Sequence, residues 1–362
     1  MVNSGKYCDL HLHSNYSDGT CTPCEVVRLA CELGLSTIAL TDHNTVKGLH
    51  EFMSEAKKQG IDAIAGVEFS VDYNGRELHL LALGVDERYF AEIEEMMDKY
   101  LAIREQTNRE MVQALRDGGY MIDYDTIYEK SGNGYINRAH IARELTEKGY
   151  VSSVREAFDT LLRKDGPYFR PRKFPNVFDM IDYIRKIGAV SVLAHPFLHF
   201  DETGLREFLA KAKMHGLCGM ETVYTEFSDE QVALAKNIAE DFSLIESGGS
   251  DFHGSTKPDV AIGVGFGNLR VPEEIAMNIK NRKTVLEAHK YCSYNRNMLG
   301  NDNVCGCFYC LSIYSPKEIS EWIPEGLGTA LCPYCGIDSV IGESSGYPIT
   351  EEFLQEMKNY WF

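Results

Sequence analysis

The feature that most constrains this chain is a series of short apolar runs, each ending in a histidine or a carboxylate. Tyr7-Cys8-Asp9-Leu10 reads as a strand leading into His11-Leu12-His13-Ser14-Asn15-Tyr16-Ser17-Asp18-Gly19. Period-two alternation places His11 and His13 on one face, and Asp18 falls in a glycine-containing turn from which it can reach back over the strand end. The pattern recurs. Ser36–Leu40 runs into Thr41-Asp42-His43-Asn44, Ile61–Val67 into Glu68, Ala189–Ala194 into His195, and Ser243–Ser250 into Asp251-Phe252-His253, while Glu77–Gly84 carries His79. Helical stretches at 23–34, 46–59 and 177–187 alternate with these strands, which predicts βα units around a parallel or mixed sheet. In a closed βα barrel such strand ends converge on one rim, where barrel active sites are built. Imidazoles and carboxylates gathered there suit manganese, iron or zinc.

The alternation breaks near residue 88. Residues 90–117 are charged and helical, and Arg138–Leu145 and Val154–Leu162 also read as helices. The segment closes at Pro167, Pro171 and Pro175 with a basic exit of Arg170, Arg172 and Lys173. The expected organisation is therefore a barrel from 1–88 and 176–290, a helical insertion at 89–175 acting as a substrate lid, and a small module at 300–362.

A net charge of −18 argues against a surface that coats nucleic acid, since phosphate binding needs excess Lys and Arg. A carboxylate-rich ligand cluster counts as negative until its metals bind, so phosphorylated substrates stay open. The N-terminus lacks the basic start and apolar core of a signal peptide, and no run of eighteen apolar residues occurs. The expectation is a cytoplasmic protein without a membrane segment, whose 11 cysteines are reduced thiols or metal ligands rather than a disulfide framework.

Taken together, His11-x-His13, Asp18, Thr41-Asp42-His43-Asn44-Thr45, Gly66-Val67-Glu68, His79, Ala194-His195-Pro196 and Gly249-Ser250-Asp251-Phe252-His253-Gly254 resemble the successive motifs of the PHP (polymerase and histidinol phosphatase) family. The resemblance spans residues 5–290. It implies a distorted seven-stranded β/α, TIM-like barrel carrying a two- or three-metal phosphoesterase site. One metal would take His11, His13, Glu68 and Asp251; a second Glu68, His79 and His195; a third Asp18, His43 and His253. Asp42 is expected to cap its turn, because neighbouring strand residues point opposite ways. Two or three divalent ions would supply metal-activated hydroxide, with His195, His253 and Asp251 the catalytic positions on which turnover depends. Tyr135-Ile136-Asn137-Arg138-Ala139-His140-Ile141-Ala142 resembles the insertion of a PHP subgroup that includes nucleoside monophosphate phosphatases and a 5′-to-3′ exoribonuclease. Arg138 and His140 are accordingly the expected substrate-binding residues. The implied substrates are nucleotides or nucleic-acid 5′ ends, RNA among them. The alternatives are a small-molecule phosphatase, such as one for histidinol phosphate, and a nucleotide- or RNA-binding adaptor with an inactive barrel.

Two cysteine pairs stand apart. Cys21-Thr22-Pro23-Cys24 has no thioredoxin-like context and reads as a helix start. Cys307-Phe308-Tyr309-Cys310 and Cys332-Pro333-Tyr334-Cys335, 21 residues apart, have the two-knuckle spacing of structural zinc. Cys305 could compete with Cys307. Four thiolates would fold a zinc-ribbon-like module too small to hold itself together, and such a module offers a surface for protein contact.

Overall fold

The computed structural model describes residues 6–130, 136, 138–170 and 174–362. Tyr135, Asn137, Pro171, Arg172 and Lys173 lie outside the described residues. Two compact units divide the chain. One gathers the residues up to Phe69, His79–Tyr89 and Ile181–Phe362; the other gathers Ser70–Leu78 and Phe90–Met180.

A single sheet, all but the Ser70–Leu78 stretch of which belongs to the first unit, runs through β1 (Tyr7–Leu12), β2 (Thr37–Leu40), β3 (Asp62–Tyr73), β4 (Arg76–Leu83), β5 (Val190–Leu193), β6 (Gly219–Tyr224) and β7 (Ile245–Gly249), in that spatial order. β1, β2 and β3 are parallel, as are β5, β6 and β7, while β4 runs antiparallel to β5. The sequence reading of a mixed βα sheet holds, and its seven strands are these. An eighth, β8 (Val271–Pro272), pairs antiparallel with β1. At two residues it is too short to leave a periodic signal.

The sheet nearly closes on itself. Asp251 N–H donates to His11 O at 2.9 Å and His13 N–H to Phe252 O at 3.0 Å, joining the end of β7 to β1. Gly249 permits this approach: a Cβ there would lie 2.5 Å from both Cβ and N of His11. Between β3 and β4 the chain reverses at Asn74 and Gly75, whose φ values of 54° and 75° suit a two-residue turn matching strand twist.

Helix α1 (Pro23–Glu32) begins in a reciprocal cap. Thr22 Oγ1 accepts from Glu25 N–H at 3.2 Å, and the Glu25 carboxylate accepts from Thr22 N–H at 2.7 Å. Pro23 occupies the first turn, where no donor is lost. α2 (Leu49–Gln59) stops at Gly60, which is left-handed at φ 74°.

The second unit holds α3 (Phe90–Asp117), α4 (Tyr124–Lys130), α5 (Arg138–Glu147) and α6 (Val154–Asp159). It has its own core of Met111, Leu115, Ile127, Ile141, Leu145 and Leu162.

The chain continues through α7 (Val177–Ile187), α8 (Glu202–Met214), α9 (Asp229–Asp241), α10 (Glu273–Ala288), α11 (Arg296–Leu299) and, last, α12 (Glu351–Trp361). Before α12, β9 (Cys305–Cys307) pairs with β10 (Ile313–Tyr314) and with β13 (Val340–Gly342), and β11 (Trp322–Ile323) with β12 (Thr329–Ala330). Phe353, Leu354 and Met357 of α12 pack with Phe308, Ile341 and, from α10, Val285 and Ala288. Each side chain so buried stabilises by about 1.5–3 kcal/mol, which fastens the module to the barrel. Among the described residues no helix is long and apolar enough to cross a membrane.

Candidate active site

Glu68 is the centre of the strand-end cluster. Its Oε2 lies 3.1 Å from each of His11 Nε2, His13 Nε2 and His43 Nδ1. Its Oε1 lies 2.9 Å from His79 Nδ1 and 3.2 Å from His195 Nε2. Asp251 Oδ1 adds a second carboxylate 3.2 Å from His13 Nε2 and 3.6 Å from His11 Nε2. Asp18 closes a third group, 3.1 Å from His253 Nε2, 3.7 Å from His43 Nε2 and 3.8 Å from His13 Nδ1. All nine side chains expected at the barrel rim are therefore brought together within the first unit. Three overlapping sets have ligand atoms within 4.8 Å of one another: His11, His13, Glu68 and Asp251; His43, Glu68 and His79; and His13, Asp18, His43 and His253. His43 belongs to two of them, with one ring nitrogen toward Glu68 and the other toward Asp18.

The donors fit divalent metals. His11 Nε2, both ring nitrogens of His13, His43 Nδ1 and Glu68 Oε2 are buried without a hydrogen-bond partner. Leaving such atoms unsatisfied costs about 1–3 kcal/mol apiece, and nitrogen and carboxylate oxygen facing a common point is a transition-metal donor set. The electrostatics agree. Burial opposes charge on Glu68, but His43, His11 and His79 outweigh it and hold the carboxyl well below its usual range. Asp251 is depressed in the same way by His11 and His13. Burial also opposes charge on His13, yet Asp251 and Glu68 push it up to about 9. His43, buried and flanked by His13 and His79, falls to about 3 despite Glu68, which keeps its ring neutral with one nitrogen free of a proton.

Backbone geometry and neighbouring side chains hold these groups in place. His195 and Asp251 have φ of 30° and 55°, conformations that cost about 1–3 kcal/mol and persist only where surroundings impose them. For His195 the restraint is Glu221, whose Oε2 accepts its N–H at 2.7 Å while Oε1 faces His11 Nδ1 at 2.9 Å. For Asp251, Oδ2 accepts from Tyr224 Oη at 2.8 Å and Lys257 Nζ at 2.6 Å, leaving Oδ1 for the cluster. Asp9 ties β1 to the loops after β7, accepting from Ser250 N–H at 2.9 Å and Gly263 N–H at 2.7 Å. Burial pushes the Asp9 carboxyl up to about 6. The sequence reading missed Glu221, Tyr224, Lys257 and Asp9. A signal for two of them existed: Glu221 and Asp9 are carboxylates within strands whose other residues are mostly uncharged, and both are fully buried.

Other expected residues fall elsewhere. Asp42 accepts from Ser14 N–H at 2.7 Å, Ser14 Oγ at 2.6 Å and Ser17 Oγ at 2.7 Å, fixing the turn that carries Asp18. Arg138 and His140 open α5 in the second unit. The Arg138 guanidinium lies over the rings of Phe158 and Phe169, at 5.5 and 5.3 Å, and burial, with the charges of Arg143 and Arg104, lowers His140.

In the C-terminal module Cys307, Cys310, Cys332 and Cys335 bring four thiols close enough to hold a metal ion. Cys307 Sγ lies 3.6 Å from Cys335 Sγ and Cys310 Sγ 3.7 Å from Cys332 Sγ. A tetrahedron with Zn–S arms of about 2.3 Å has edges of about 3.8 Å. Cys305 is not in the set: its thiol faces the Tyr314 carbonyl at 3.5 Å.

Comparison with known proteins matches this arrangement. The PHP domain model matches residues 9–169. A 5′-3′ exoribonuclease of Haemophilus influenzae is 33% identical over 250 residues, covering 68% of this chain and 90% of the relative. The chain belongs to the PHP family. A 3′,5′-nucleoside bisphosphate phosphatase of Chromobacterium violaceum is 30% identical over 250 residues, 68% of this PHP chain and 86% of the relative. A solved structure of a metal-dependent phosphoesterase from Bifidobacterium adolescentis superposes with a TM-score of 0.61 at 26% identity. It covers 76% of this chain and 96% of that one. PHP relatives are thus metal-dependent phosphoesterases, as the resemblance of the strand-end motifs to that family implied.

Proposed function

We propose that this PHP protein is a phosphoesterase of nucleotides or nucleic-acid 5′ ends, with two or three divalent metals in the barrel and one structural zinc in the C-terminal module. The observation that carries the barrel site is the convergence of five imidazoles on the two oxygens of Glu68, with unpartnered buried nitrogens facing it. His11, His13, Glu68 and Asp251 would hold one ion, and Glu68 with His79 and His195 a second. Asp18, His43 and His253 would hold a third, with His43 able to turn toward either neighbour. Bound divalent ions polarise a phosphoryl oxygen, bring the pKa of water toward neutrality and neutralise charge on the leaving oxygen. Manganese, iron and zinc all suit these donors.

The chain's own residues do the rest. Glu221 fixes the ring of His11 and the backbone of His195. Tyr224 and Lys257 orient Asp251 through one oxygen, and Asp42 fixes the turn that presents Asp18. Lys257, about a third exposed, also gives the site a cation for an incoming phosphate. A rim histidine not engaged with an ion is suited to pass a proton to the leaving alkoxide. The nucleotide or nucleic-acid substrate class is supported by the names of the exoribonuclease and bisphosphatase relatives, and Arg138 and His140 are assigned to substrate selection on their resemblance to the subgroup motif alone.

The test is phosphate and mononucleotide release from nucleoside 5′-monophosphates, 3′,5′-bisphosphates, 5′-phosphorylated RNA and histidinol phosphate. Release confined to the nucleotide or RNA members supports the proposal; preference for histidinol phosphate overturns its substrate class. Replacing Arg138 and His140 together should raise KM for the preferred member, and unchanged KM would remove them from substrate selection.

A further inference from the structure

On the rim where β5 and β6 begin, opposite the metal-capable cluster at the strand ends, the last turns of α7 and α8 meet α12 around a cavity of about 190 Å³. Arg185, Lys213, Gly216, Tyr360 and Trp361 line it, and the Arg282 guanidinium lies over the Tyr360 ring at 4.6 Å. Two cations thus line a small space, with a third against the ring of the lining residue Tyr360, in a chain of net charge −18.

Ordinary structural roles account for part of this. Arg185 pairs with Asp182 at 3.0 Å, and Lys213 Nζ donates to the Ser243 carbonyl at 3.1 Å. Both also sit at helix C-termini, where cations are favoured. Arg282 has the Tyr360 ring beneath it but no such polar partner. Among the described residues neither it nor Lys213 forms an ion pair with a carboxylate. Arg282 Nη1 and Trp361 Nε1 are both buried donors without an acceptor, and an acceptor supplied from outside would satisfy them. Burial, followed by the Arg282 charge, holds Lys213 below its ordinary range.

The space itself depends on Gly216. Its φ is 93°, and a Cβ there would lie 2.9 Å from Arg185 Cδ and 3.3 Å from Tyr360 Oη. Trp361 is stacked on His289 with ring centroids 3.7 Å apart, so one of its faces is already covered. Room remains for a tetrahedral anion, while an attached nucleoside would have to stay outside.

We propose that this cavity is a second anion site, holding a phosphate dianion among Arg185, Lys213 and Arg282 on the barrel rim opposite the catalytic cluster. It exists only because α12 folds back onto the barrel. The dianion is either free inorganic phosphate or the phosphate of a nucleoside monophosphate, two forms of the same chemistry.

Trp322 and Trp361 are the chain's only tryptophans, so a full-length Trp322→Phe variant makes Trp361 the sole reporter. Inorganic phosphate and adenosine 5′-monophosphate are titrated separately at constant ionic strength, following Trp361 emission. A saturable change with phosphate assigns the site to the free anion; a change with the monophosphate alone assigns it to the ester. Adding Lys213→Met and Arg282→Met should weaken binding by at least about tenfold through loss of two charge-assisted contacts, and Lys213→Gln alone by less. The response should persist in a His195→Ala background, since the cluster lies at the other strand ends. Absence of a saturable change with either probe overturns the proposal. So does an undiminished response in the Lys213→Gln variant and in a folded double variant, or its loss on His195→Ala.

Discussion

His11 Nδ1 lies 2.9 Å from Glu221 Oε1, and through the other oxygen of the same carboxylate it is linked to the His195 backbone. One buried side chain on β6 therefore fixes the ring of His11 on β1 and the left-handed turn that carries His195 after β5. Glu221→Gln keeps the shape but weakens both contacts. Loss of such an outer partner lowers metal affinity or activity by about 10–100-fold. Titration of barrel metals alongside turnover should show both falling, with the melting transition still cooperative.

Gly249→Ala is expected to damage the same centre from the backbone side. The added methyl would overlap His11 N and Cβ, so β7 and β1 must part where Asp251 and His11 converge. Overpacking of this kind typically costs about 1–3 kcal/mol. A lower denaturation midpoint, together with weaker metal uptake, is the expected outcome; a change in stability alone would place the strand junction outside the site.

The strand-end pattern made the converging rim residues legible because each motif carries its own local geometry: alternation puts His11 and His13 on one face, and a turn carries Asp18. Glu221, Tyr224 and Lys257 act through partners 26, 27 and 6 residues away, and only the register of β5, β6 and β7 brings the first two to their targets. The long helix over 90–117 was equally readable, as α3 (Phe90–Asp117) shows. β8 was not, since two residues have no period. The cavity under α12 was likewise invisible, because Arg185, Lys213 and Trp361 meet only after the tail docks.

The pH dependence of protein depleted of barrel metals follows from the cluster. Glu68, Asp251 and Asp18 are held low by neighbouring histidines. Their stabilisation is complete above ordinary carboxylate values near 4.5 and is lost as pH falls. His13 is raised from 6.5 to about 9, so its contribution is complete below 6.5 and is lost as pH rises through about 9. Urea midpoints should therefore peak between about pH 4.5 and 6.5 and decline on both sides, by on the order of a few kcal/mol. Reloading metal should flatten the alkaline limb, because ions replace the proton on His13. A midpoint that rises steadily from pH 6.5 to 9 without metal would contradict this.

In the C-terminal module, Cys310→Ser or Cys332→Ser should each remove one equivalent of zinc and lower the melting temperature. Cys310 is drawn down to about 7, against burial, by donors from Ser312 and the neighbouring thiols, the direction a metal thiolate requires. Elemental analysis of the wild type and both variants checks the count; unchanged zinc would remove the four-thiolate reading.

The central claim is that Glu68 gathers the metals on which phosphoester hydrolysis depends. Glu68→Gln removes the shared charge while keeping the side chain's size. Bound metal and phosphate release should be measured on the same manganese-loaded samples of wild type and variant. The expected result is a variant that retains its zinc equivalent, loses most barrel metal and turns over at least about a thousandfold more slowly, in keeping with the several kcal/mol that metal ions contribute to such transition states. A variant that keeps its barrel metals and its rate would contradict the account.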